Sequence, residues 1–172
     1  MTDWTSALYE WRTKLAHEGA CDFDVLSDEP ELVAWLERVF ADNGALPADQ
    51  FGPMVLRHRL ELAQGALGKL QAAFLRDRGL RADLELRADQ PSRDLPMGRV
   101  WVDQTAILAM TRADVLVEIA DGFQDYVAGV HWQVWPECPQ HGNGAHPETI
   151  DGRVMWMCRA GNHPVAAICV SP

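Results

Sequence analysis

Cys138-Pro139-Gln140-His141 and, after sixteen intervening residues, Cys158-Arg159-Ala160-Gly161-Asn162-His163 constrain this chain more than anything else in it. Soft donors paired at such short spacing are how a loop and a strand wrap a single tetrahedral ion. Pro136 and Pro139 bracket the first cysteine and keep its backbone extended and out of helix. Arg153-Val154-Met155-Trp156-Met157 reads as a strand ending at Cys158, Gly161-Asn162 as a turn, and Val165 to Val170 as the returning strand. The intervening Gly142, Asn143, Gly144, Pro147, Asp151 and Gly152 read as a turn-rich linker. Two knuckles feeding a short hairpin is a zinc-ribbon-like layout.

With Cys138 and Cys158 as thiolates and His141 and His163 as neutral imidazoles, the site carries no net charge around Zn²⁺. Four protein ligands leave no position for water, so the expected ion is structural and not catalytic. Two alternatives stand beside this reading. In one, the thiols are packed and the histidines cap turns. In the other, His131 or His146, the latter the nearer competitor, displaces one imidazole and water fills the gap. Glu137 or Glu148 would then be the general base of a zinc-dependent hydrolase-type enzyme. Cys21 and Cys169 read as non-ligands. No Gly-rich phosphate loop, Gly-x-Ser-x-Gly elbow or His-Glu-x-x-His motif is present.

A chain of 172 residues buries a core without a metal staple, so the ion would organise a part and not the whole. The formal net charge of -10 and pI near 4.9 disfavour polyanionic partners. The ligand module itself sets only Arg153 and Arg159 against Glu137, Glu148 and Asp151. Nucleic acid and membrane are therefore not expected as partners. Another protein is, a basic one being what the net charge suits. The start of the chain shows no basic stretch followed by an apolar one, which leads to the expectation of a cytoplasmic, reducing setting with cysteines as thiols or ligands. Of the seven tryptophans, Trp132, Trp135 and Trp156 lie near the ligands. Core packing is the plain reading, an exposed aromatic docking patch the sharper one.

Upstream, Trp4, Leu8, Trp11 and Leu15 fall on one face of a helix ending near Gly19. Asp28, with Pro30 and Glu31 after it, predicts the cap of a second helix that ends at Asn43-Gly44. A long third helix runs from Pro53 to Arg78-Gly79, and Gly65 and Gly68 within it predict close approach of a neighbouring backbone. Ala82 to Arg87, Arg99 to Asp103 and Thr105 to Met110 read as strands. Thr111 and Asp114 open a helix reaching about His131, with Glu118, Asp121 and Asp125 on its solvated side. The basic stretches at Arg57-His58-Arg59 and Arg76 to Arg81 read as solvated helix faces. The expected fold is α+β: residues 1–131 a helix-rich region with a small antiparallel sheet, residues 132–172 the zinc-ribbon-like module.

Asp125-Tyr126-Val127, Trp135-Pro136-Glu137-Cys138-Pro139-Gln140-His141, Val154-Met155-Trp156-Met157-Cys158 and His163-Pro164-Val165-Ala166 carry a resemblance. Over about the last 50 residues the chain resembles the C-terminal module of a set of small uncharacterised actinobacterial proteins, which share Trp-Pro-x-Cys-Pro-x-His, then Trp-x-Cys and a His before Val-Ala. The resemblance implies zinc at Cys138, His141, Cys158 and His163, and no activity.

Overall fold

The computed structural model describes residues 4–168 and has an α+β fold of four helices and two three-stranded antiparallel sheets. In chain order these are α1 (Trp4–His17), α2 (Pro30–Asn43), α3 (Ala48–Arg78), β1 (Leu86–Asp89), β2 (Arg99–Val102), β3 (Thr105–Ile107), α4 (Arg112–His131), β4 (His146–Ile150), β5 (Arg153–Cys158) and β6 (His163–Ala167). No helix among the described residues is long and apolar enough to cross a membrane. Cys169 and the far end of the predicted last strand lie outside the described residues.

The apolar stripes of α1 and α2 meet the first turns of α3. Leu8, Trp11, Leu15, Leu36, Phe51 and Val55 are buried together there. The rings of Trp11 and Trp35 lie 5.3 and 5.7 Å from that of Phe51. The connection between α1 and α2 has little secondary structure, and buried arginines supply its missing partners. Arg12 donates to the carbonyls of Val25 and Ser27, and Arg59 grips both carboxylate oxygens of Asp22 and the carbonyl of Leu108. Arg59 is fully buried, so the reading of residues 57–59 as a solvated basic face fails at that position: its charge is spent inside, on Asp22.

α3 and α4 pack on each other; both lie against the first sheet, and α4 also against β4 and β5 of the second. β1, β2 and β3 form one meander, with Arg87 opposite Trp101 and Val100 opposite Ile107, and lie on α3 and α4. Close approach between elements occurs at Gly52, where a Cβ would run into the Pro96 carbonyl, and at Gly122, where it would lie 2.5 Å from Val102 Cγ1. Among the described residues nothing lies within 4 Å of a Cβ at Gly65 or Gly68, so the backbone contact expected there is not found among them.

Several boundaries also differ from the sequence reading. α3 begins five residues before Pro53, which lies inside the helix in its second turn; the missing N–H costs the Asp49 carbonyl its helical donor without ending the helix so close to its start. α2 is preceded by Glu29, not Asp28, and no side chain caps it. The first strand starts at Leu86, beyond most of the predicted span. Thr111 does cap α4, accepting from the Asp114 N–H at 3.2 Å. Glu118 is not on a solvated face: it turns inward and accepts the N–H groups of Leu108 and Ala109 at 3.0 and 3.1 Å. Burial pushes its carboxyl pKa up, and those two hydrogen bonds hold the rise back.

Candidate metal centre

The residues from Trp135 onward share the core of α3 and α4. Trp135 packs edge-on against Phe74, Phe123 and Trp156 at 5.5, 5.6 and 5.7 Å between ring centres. From that anchor the chain makes a tight excursion and returns. Pro136 O accepts from Ala145 N–H at 2.9 Å, Cys138 N–H donates to Asn143 O at 2.8 Å, and Cys138 O accepts from Gly142 N–H at 2.8 Å. Gly142 takes the positive φ of 66° that this reversal needs. The side-chain amide of Gln124, on α4, donates to Trp135 O at 3.0 Å and Ala145 O at 2.6 Å, pinning both feet of the excursion with one group.

The predicted turn-rich linker becomes β4, which pairs with β5 from His146 opposite Met157 to Ile150 opposite Arg153. Its turn residues close the β4–β5 hairpin, with Asp151 and Gly152 at φ 48° and 73°. β5 ends at Cys158 as the sequence reading has it, whereas the returning strand β6 begins at His163, two residues before the predicted Val165, because His163 pairs with Cys158. Asn162, not Gly161, takes the left-handed conformation in this turn, with φ 47°. Gly161 serves a different need. A Cβ there would lie 2.5 Å from His141 Cε1 and 2.6 Å from His163 Nδ1, so both imidazoles pass over a bare glycine. The repeating Gly-in-a-turn signal pointed to backbone conformation; the steric reason was invisible without the partner loop. Gln124 likewise carries no sequence signal, because its two acceptors are distant backbone carbonyls.

These two loops bring one donor atom each from Cys138, His141, Cys158 and His163 within 4.8 Å of one another. His141 Nδ1 lies 3.5 Å from Cys138 Sγ and 3.4 Å from Cys158 Sγ, and His163 Nε2 lies 3.4 Å from Cys138 Sγ. Zinc bond lengths at tetrahedral angles give a sulfur–nitrogen edge of about 3.6 Å. A single thiol–imidazole hydrogen bond would explain one such distance but not one nitrogen equidistant from two sulfurs. The donor set therefore fits a tetrahedral ion, and the four residues can hold one. Both thiols are fully buried, while His141 is exposed and His163 half-buried. Burial works against a Cys138 thiolate, yet the His141 ring, the N–H groups of Gln140 and His141, and the Cys158 thiol outweigh it. Together they bring the Cys138 pKa from 9.0 down to about 6.

The rival ligands stand apart. His131 packs between Phe74 and Tyr126, and His146 belongs to β4; neither is in the four-residue group. Glu137 is paired with Arg78 at 2.9 Å and Glu148 with Arg159 at 3.5 Å. Cys21 is far from the group in the fold, half-buried beside Asp22, with burial foremost in raising its pKa to about 11. Trp135 and Trp156 are core residues, whereas Trp132 is 89% exposed, so the three do not form one surface patch.

Fold and site together define an α+β protein with a Cys₂His₂ group able to bind a metal ion. Comparison of the chain with protein-family models, curated proteins and solved structures found no match.

Proposed function

We infer that Cys138, His141, Cys158 and His163 bind one Zn²⁺ as a structural ion, and that the protein is not an enzyme but acts by contacting another protein. The observation that carries the metal reading is the convergence of four donors from two separate loops within 4.8 Å, with three sulfur–nitrogen distances of 3.4 to 3.5 Å near a tetrahedral edge. Two thiolates with two imidazoles is a set that favours zinc over the harder ions, and its charge balances the metal's. Four protein donors complete the shell, so the ion would cross-link the 136–145 excursion to the β5–β6 hairpin and leave no site for a reactive water. The carboxylates that a hydrolytic reading would use as bases are occupied by arginines.

The test is the metal content of untagged protein, measured by mass spectrometry for the parent, Cys138→Ser and Cys158→Ser. One zinc per chain, lost in both variants, is the expected result. Cobalt substitution should give a four-coordinate thiolate spectrum. A five-coordinate spectrum with an exchangeable water would overturn the structural assignment. A parent without metal would remove the site.

A further inference from the structure

Away from the metal centre, α2, α3 and the start of α4 enclose a cleft of about 340 Å³. Each helix brings one arginine to its lining: Arg38 from α2, Arg57 from α3 and Arg112 from α4. Trp35, Met54 and Leu62 supply an apolar part. His58 is fixed there on two sides, its ring stacked on Trp35 at 4.6 Å and its Nε2–H donating to the Met110 carbonyl at 3.0 Å.

The three arginines differ in what they hold. Arg112 has Glu31, whose carboxylate accepts from the Arg112 backbone N–H at 3.0 Å with one oxygen and from its guanidinium Nε at 3.2 Å with the other. One oxyanion is thus already seated at this wall, at the positive end of α4. Arg38 and Arg57 make no hydrogen bond or ion pair with any described residue, whereas Arg59, Arg76, Arg78 and Arg159 each have a carboxylate partner. In a chain with 25 acidic against 15 basic residues, two arginines without a carboxylate at one cleft are a local excess of donors. Glu61 is the other acid among the described lining residues, so three guanidiniums face two carboxylates.

We propose that this cleft binds a small organic oxyanion, a carboxylate or a phosphate monoester on an apolar body, with the oxyanion held by Arg38 and Arg57 and the body against Met54 and Leu62. Two features select this class. A guanidinium fork without a partner is suited to paired hydrogen bonds with the oxygens of a carboxylate or phosphate. The volume lies at the small end of ligand cavities, and an apolar lining with a few converging polar groups is their usual make-up, so the guest is about one ring in size and not a polymer. The site goes beyond the metal and protein-contact reading above and does not depend on it.

Isothermal titration of the metal-loaded full chain at physiological ionic strength tests it, with phenyl phosphate, benzoate and inorganic phosphate as probes. One saturable site is expected for phenyl phosphate or benzoate, about fivefold or more tighter than for inorganic phosphate, because the ring adds apolar contact. The tighter of the two organic probes tells phosphate ester from carboxylate. Arg38→Gln and Arg57→Gln, both at exposed helix positions, should each lower that affinity about tenfold with helix content equal to the parent's. Arg153→Gln removes the same charge from an exposed position on β5 and should leave it unchanged. Absence of saturable binding by both organic probes overturns the proposal. So does inorganic phosphate binding as tightly as they do, which would make the cleft a basic patch only. Binding retained in both Arg38→Gln and Arg57→Gln, or lost equally in Arg153→Gln, overturns it as well.

Discussion

Gly161 is the residue whose role most depends on its lack of a side chain. Both imidazoles occupy the place a Cβ would take, so Gly161→Ala must push one or both ligand rings aside. We expect metal affinity to fall by about tenfold or more, as when an orienting contact is lost, with the helices unaffected. Competition with a chromophoric chelator alongside circular dichroism checks both halves. His58 makes a pH-dependent contribution of a different kind. It stacks on Trp35 at 4.6 Å and bonds the Met110 carbonyl, and burial lowers its pKa below 6.5. As pH falls below about 6.5 the unfolded chain takes up the proton before the folded one does. Stability therefore drops until the folded pKa is reached and levels off below it. Thermal melts of the parent and His58→Gln from neutral to mildly acidic pH should show a smaller drop in the variant. An identical pH dependence would mean that His58 is not the group responsible.

At the level of elements, the excursion between Trp135 and Ala145 depends on α4 as much as on any metal. Gln124→Glu replaces the two-pronged donor by a carboxylate facing two carbonyls, leaving both without a partner. The expected outcome is weaker metal retention with helix content unchanged, read by chelator challenge. Chelation of the parent should raise hydrogen exchange across the 136–145 segment and the β5–β6 turn while leaving α1 to α3 protected. Exchange that rises everywhere would mean the ion supports the whole fold. Much of this arrangement was legible in the sequence. The caps at Asn43-Gly44, Arg78-Gly79 and Thr111, the strand ending at Cys158 and the four converging donors all follow from local spacing. β4 was not legible, because its five residues include a proline and sit among turn formers, and only pairing with β5 makes them a strand. Gly65 and Gly68 misled for the converse reason: a glycine in a helix signals a neighbour only if tertiary structure supplies one, and among the described residues it supplies none there.

Across the whole molecule, two interior regions are tied by a few polar residues whose meaning sequence alone concealed. Arg59 reads as one charge in a basic run, yet it joins α3 to the loop after α1 and to the segment before α4. Asp22→Ala would leave a fully buried guanidinium without its counter-charge, and we expect a loss of about 3 kcal/mol in urea unfolding. A change below about 1 kcal/mol would show that the pair is exchanged easily for water. The chain of edge-on rings from Phe123 and Phe74 through Trp135 to Trp156 has a consequence of another sort. Two indoles held at a fixed angle, one leading into Cys138 and the other two residues before Cys158, make a built-in optical gauge. Their coupled absorption should follow the joining and parting of the two ligand loops in solution, with no label attached.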